Sequence, residues 1–346
     1  MKVRAPRPVV DGHLDLAYNV GRGRDLRQEV ARIRADEGAA REQCMVTLPE
    51  LRRASIAVAC ASVYTVPARD PEGEPVFDPL VGASGREQVR IYRQWESEGL
   101  VRIIRGRDSL REHLRSWLED RVPGLLVAME SADPIERPED LGWWFDAGVR
   151  MIGPAWGPTR YCGGFEGPRG RATGLTALGR ELITGMDELG VILDLAHMSA
   201  ASCAESLAGG HRHICLTHTT PREMVGIDRF PDNEVLRRIA DQGGVVGIGL
   251  GNVFFDVAWW DKDARSNPVP LEAVGRALAL TARATGWDHV GIGSDLDGGS
   301  GLEETPVGLE TIADIGRVAE LVPPESAAGV LGGNWLRFFE AALPAG

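Results

Sequence analysis

The stretch Val9-Val10-Asp11-Gly12-His13-Leu14-Asp15-Leu16 decides how this chain folds. Its valines start an apolar run of strand character, and the run ends on an imidazole and a carboxylate. A doubly wound sheet that binds dinucleotides would instead follow its first strand with a glycine-rich turn. Seven further runs recur downstream: Ile56–Val66, Gly124–Ser131, Val149–Trp156, Val191–His197, His213–His218, Gly244–Gly251 and His289–Asp297. Near-continuous apolar strands are buried on both faces, as in a parallel sheet covered by helices. Between them, Ser84–Glu98, Thr176–Leu189, Asp232–Asp241, Leu271–Thr285 and Val307–Leu321 carry apolar residues three and four apart, which predicts helices. Thr176 and Asp232 read as helix caps, with Pro231 just ahead of the second, and Gly190 reads as a stop.

Eight strands, each feeding a helix, predict an α/β fold of the (β/α)8 TIM-type barrel class, in one domain over residues 1–346. Three insertions are expected, near residues 21–45, 68–83 and 161–173, the last glycine-rich and lying over the barrel mouth.

Composition narrows the function. The chain has 346 residues, 43% of them hydrophobic, and a formal net charge of -12. Such an acidic surface repels phosphate backbones, so a nucleic-acid partner is not expected. Five cysteines, Cys44, Cys60, Cys162, Cys203 and Cys215, form no C-x-x-C pair, which argues against a disulfide framework and for a reducing, cytoplasmic location. The N-terminal residues hold no leader-like apolar stretch, and no apolar run has membrane-spanning length, so no membrane partner is expected. There is no G-x-x-x-x-G-K-[ST] and no G-x-S-x-G.

The chemistry lies in where the imidazoles and carboxylates fall. His13 and Asp15 close the first strand, Glu130 the third, His197 the fifth, His218 the sixth and Asp295 the eighth. In a barrel these ends converge on one face, where active sites are built. His13 and Asp15 are two residues apart, so both point to the same side of a strand and can grip one cation. His197 and His218 end adjacent strands and suit a second, and Glu130 offers two oxygens to bridge. A nitrogen and oxygen donor set of this kind suits zinc best, with manganese or cobalt as substitutes. Taken singly, each residue reads more readily as a turn or strand-end polar group than as a ligand. Turns formed independently have no reason to put His or Glu on so many ends of one barrel face. Only Lys2 and Lys262 occur, and neither ends a strand, so a carboxylated lysine is not the bridge. His113 sits in a polar helix, while His211, His213 and His289 begin strands at the far end, so all four are expected to be structural.

These residues and their surroundings resemble the membrane dipeptidase family, also called renal dipeptidases, of the amidohydrolase superfamily. The matching motifs are Asp11–Asp15, Glu130, Gly174–Gly179, Asp194–Ser199, Thr217–Thr220, Gly293–Gly298 and Gly332–Arg337. The resemblance implies a zinc-dependent dipeptidase acting on free dipeptides, with D-residues allowed at the C-terminal position, and a homodimer. It implies two zinc ions held by His13, Asp15, Glu130, His197 and His218, with Glu130 bridging and a hydroxide between the ions attacking the peptide carbonyl. Asp295 would carry the proton to the leaving amine, and Arg229 would grip the substrate's terminal carboxylate. Two departures bear on the substrate. Trp156 stands where the best-known members have a carbonyl-polarising histidine, and Gly247–Gly251 stands where they carry an aromatic. Trp156 therefore favours an alternative, hydrolysis of another small amide such as a lactam or a modified dipeptide. A metal-binding relative without catalysis is the third reading, and Asp295, a proton carrier with no ligand duty, argues against it.

Overall fold

The computed structural model of the chain describes residues 7–38, 42–166, 169–261 and 267–345. Lys2, Lys262 and the first six residues lie outside them, as do residues 39–41 and 167–168 of two expected insertions. Eight parallel strands stand side by side in chain order: β1 (Val9–Leu14), β2 (Ile56–Tyr64), β3 (Gly124–Glu130), β4 (Val149–Gly153), β5 (Ile192–Asp194), β6 (Ile214–Thr219), β7 (Val246–Ile248) and β8 (Val290–Ile292). Closure from β8 to β1 comes from the Asp295 amide donating to the His13 carbonyl and the Ser294 amide donating to the Asp11 carboxylate. This is the (β/α)8 barrel that the alternation of apolar runs predicts.

Inside the ring, Val10, Val58, Cys60, Leu126, Met151, Ile192 and Cys215 pack together. The C-terminal helix Asn334–Ala342 closes the lower end, adding Trp335, Phe338 and Phe339 to that cluster. Trp335 donates its indole N–H to the Ile292 carbonyl and lies so close to Gly291 that a Cβ there would sit 2.4 Å from the indole nitrogen. A second shell of apolar residues fills the space between strands and outer helices. With its interior packed and its lower end plugged, the barrel has one working face, at the C-terminal ends of its strands.

Most predicted helices appear where expected. Asp232 caps Asn233–Asp241 by accepting from Glu234 and Val235, and Thr176 caps Ala177–Leu189, which ends on Gly190 at φ 71°. The helix expected from Ser84 begins earlier, at Pro79, because Asp78 caps it. The helix expected over Val307–Leu321 is a 3₁₀ stretch over Ile312–Leu321 only. Val307 instead pairs beside Val269, Gly308 turns at φ 99°, and Thr311 caps the new start. Among the described residues no helix is long and apolar enough to cross a membrane.

Candidate metal centre

Strand alternation alone would not bring the predicted residues together. Val10 faces the barrel interior, so His13, three residues on, should face outward. Between Asp11 and Leu14, however, β1 spends three residues against two of β2. Between Leu216 and Thr219, β6 likewise spends three against two of β7. Each extra residue is a bulge that re-aims a side chain, and the two re-aimed residues are His13 and His218. Their rings meet with centroids 4.1 Å apart.

The other members arrive by backbone conformations that side chains rarely adopt. His197 lies three residues past β5 at φ 64°, and Asp295 three residues past β8 at φ 56°. Ser131, directly after Glu130, has φ 74°. Left-handed conformations at non-glycine residues are costly and cluster at functional sites.

The result is two overlapping groups of donor atoms, one of His13, Glu130 and His218 and one of His13, Asp15 and Asp295. His13 Nε2 is 3.4 Å from Glu130 Oε2, 3.7 Å from Asp15 Oδ1 and 4.0 Å from Asp295 Oδ1. The other Glu130 oxygen is 3.0 Å from His197 Nε2 and 3.5 Å from His218 Nε2. One carboxylate thus faces both halves of the cluster. Asp295, expected only as a proton carrier, stands within reach of the His13–Asp15 half.

Hydrogen bonds orient these donors from behind. His197 donates Nδ1–H to the carbonyls of Trp156 and Phe165, at 3.0 and 3.1 Å, which leaves Nε2 with its lone pair. Thr217 donates its hydroxyl to Asp194 at 2.5 Å, so its oxygen is free to accept Nδ1–H of His218 at 3.0 Å. Both inward-facing Nε2 atoms are therefore acceptors, yet they stand 2.9 Å apart. His13 Nε2 is buried with no hydrogen-bond partner. Imidazole lone pairs crowded against each other and buried carboxylates suit a cation between them, so the residues fit the divalent metals that the sequence implies. Asp15 is steadied by the Ser62 hydroxyl, and the Asn19 amide donates to both the Asp15 and Asp297 carbonyls.

Charge shifts follow the same crowding. Burial pushes the Asp295 carboxyl well above its ordinary range; His13 opposes, and Glu130 and Asp15 add to the rise. For Glu130 burial acts upward too, but His13 and His197 outweigh it and hold the carboxylate well below its usual value.

Arg229 lies beside His197. Its Nη1 is 2.5 Å from Nδ1 and its Nη2 3.1 Å from Nε2, so each arm of the fork meets one ring nitrogen. Burial lowers the pKa of Arg229 to about 10, and among the described residues it has no carboxylate within ion-pair distance. Above the cluster a cavity of about 420 Å³ is lined by Asp15, Glu130, His197 and Asp295, by Arg229 and Trp156, and by Tyr18, Tyr64, Phe254, Trp259 and Trp260.

His113 and His289 instead bond to the carbonyls of Ala57 and Gly244, away from the mouth, and His211 faces Asp187. The five cysteines are buried thiols, Cys162 and Cys203 pushed up to about 12 by burial. Sequence reasoning missed Asn19, Ser62, Thr217 and Asp297 as supports, and all of the aromatic lining but Trp156. The Asp-Leu-Asp run at 295–297 was the one available signal for Asp297, whose carboxylate accepts the Met45 and Val46 amides.

The sequence matches the family model for membrane dipeptidase, peptidase family M19, over residues 1–344. An uncharacterized protein of the pqqA 5' region of Klebsiella pneumoniae is 29% identical over 233 residues, 63% of this chain and 82% of that protein. A metallopeptidase of Rhodobacter sphaeroides, solved with a phosphinate mimic of L-Ala-D-Ala, superposes with a TM-score of 0.77 at 20% identity, over 97% of this chain and 99% of its own. Dipeptidase AC, a metallopeptidase of family M19, gives 0.77 at 21% identity, over 98% of this chain and 99% of its own. At such identities the two structures speak for the fold.

Proposed function

The chain belongs to the membrane dipeptidase family, a family of metallo-dipeptidase hydrolases, and from that premise we propose that it hydrolyses free dipeptides with two divalent ions, zinc by preference. His13 and Asp15 would hold one ion, His197 and His218 the other, and Glu130 would join the two. When bound, such a pair supplies positive charge that polarises the scissile carbonyl and makes water a nucleophile at neutral pH.

The chain's own groups do the rest. Asp295 accepts the proton of the attacking water and returns it to the leaving amine, a task for which a carboxyl with a raised pKa is suited. Arg229 holds the terminal carboxylate and so aligns the peptide over the cluster. The observation that carries this reading is Arg229 itself. A half-buried guanidinium without a carboxylate of its own is costly, and an anionic substrate group removes that cost. The L-Ala-D-Ala mimic bound by the Rhodobacter sphaeroides structure favours acceptance of a D-residue at the C-terminal position here.

The test is metal analysis followed by paired substrates. About two ions per chain are expected, with cleavage of a dipeptide and little cleavage of its C-terminal amide. Equal rates on the two would remove the carboxylate role of Arg229, and a chain that binds no ion after reconstitution would remove the dimetal reading.

A further inference from the structure

The walls of the cavity say more about the substrate than its floor does. Around the ring of strands, the loops after β2 to β4 stand across from the loop after β7. Two aromatic groups occupy those sectors. On one side Tyr18, just past β1, meets Tyr64 edge-to-face at 4.8 Å, and Tyr64 meets Trp156 at 5.3 Å. These three rings come from separate elements and form one continuous apolar face. On the other side are Phe254, Trp259 and Trp260, in the 3₁₀ turns after β7. Arg229 belongs to this second side, with its guanidinium 5.7 Å from the Trp260 ring centre.

Arg229 sets the direction of a bound dipeptide. With the terminal carboxylate at Arg229, the C-terminal residue lies near Trp260. The scissile bond lies over Glu130, and the N-terminal residue reaches the opposite wall. We infer that Tyr18, Tyr64 and Trp156 form a subsite for a bulky apolar or aromatic side chain on the N-terminal residue of the dipeptide. The inference rests on the dipeptidase reading above. Rings meeting edge-to-face leave broad faces for a partner, and aromatic and large aliphatic side chains bury the most area against them. Gly- or Ala-initiated dipeptides leave that face wet. Trp156 keeps His197 oriented through its backbone carbonyl, so its indole is free to serve specificity.

The test compares kcat/KM for Phe-Ala and Gly-Ala in the metal-loaded protein. The wild type should prefer Phe-Ala by about tenfold or more, the scale of a well-filled apolar pocket. Trp156→Ala should lower that ratio by about tenfold, and Tyr18→Ala, at the half-exposed end of the wall, by less. A wild-type ratio near one would overturn the subsite. So would a Trp156→Ala enzyme that loses both activities in equal proportion, since that is the mark of a structural role. If neither dipeptide is cleaved, the dipeptidase reading fails separately, and binding decides the subsite. Calorimetric titration with phosphinate mimics of Phe-Ala and Gly-Ala should then give tighter binding of the first, and equal Kd values would overturn it.

Discussion

At the floor of the barrel mouth, three of the donors are held by a hydrogen bond from behind. His218 leans on Thr217, His197 on two carbonyls, and Asp15 on Ser62. At the walls, Tyr18 sits on the short helix Leu16–Gly21, Trp156 at a bend and Trp260 in a 3₁₀ turn where its indole donates to the Val253 carbonyl, and all three rings line the cavity. The contrast separates two jobs. Reacting groups need positions good to a fraction of an ångström, which strands and their bulges supply. Walls that choose among substrates need only shape and apolar area, and loops can vary these without disturbing the floor.

Substitutions on the floor should therefore change turnover for every substrate alike. The largest effect is expected at Glu130, which faces both halves of the cluster. Glu130→Gln keeps the size but loses the charge, and should reduce metal content below two per chain and turnover to near background, read by metal analysis and initial rates. Retention of both ions with substantial activity would mean that Glu130 is no bridge.

Asp295→Asn comes next. Its amide cannot accept a proton, so kcat should fall by about 10²–10⁴ while both ions stay bound. Because Asp295 stands within 4.0 Å of His13 Nε2, loss of an ion from this variant would assign it to the ligands instead. Near-normal turnover would leave it a turn residue.

Arg229 lies between floor and wall and should show a mixed effect. Arg229→Met should raise KM for dipeptides by roughly ten- to a hundredfold, the worth of a hydrogen-bonded charge. It should also erase the discrimination between a dipeptide and its amide. A variant that keeps that discrimination would place the carboxylate elsewhere.

The smallest effect is expected one layer further back. Thr217→Val fills the same space but cannot accept from His218 Nδ1 or donate to Asp194. Supporting bonds of this type are worth about 10–100-fold in metal affinity. A chelator competition should show one ion released earlier than in the wild type, and Thr217→Ser should restore it. Unchanged release would show that packing alone orients His218.

Much of this was legible in the linear chain. Apolar runs marked the strands, because burial leaves its mark on composition wherever a strand lies, and the absence of a glycine-rich turn after the first of them separated the barrel from an open dinucleotide-binding sheet. The identities of His13, Asp15, Glu130, His197, His218 and Asp295 were legible too, since polar groups at the ends of apolar strands stand out against their neighbours. Other features follow from contacts between residues far apart in sequence. The bulges that turn His13 and His218 inward exist only against β2 and β7, and no local pattern encodes a register between strands. The helix expected from Val307 shortens because that residue pairs beside Val269. The Tyr18–Tyr64–Trp156 face joins three elements spread along the sequence, and of its rings only Trp156 stood out in the linear chain. Composition thus determined which residues are buried and which chemistry they carry. Closure of the ring decided which way they point, because only closure brings the ends of distant strands within a few ångströms of one another.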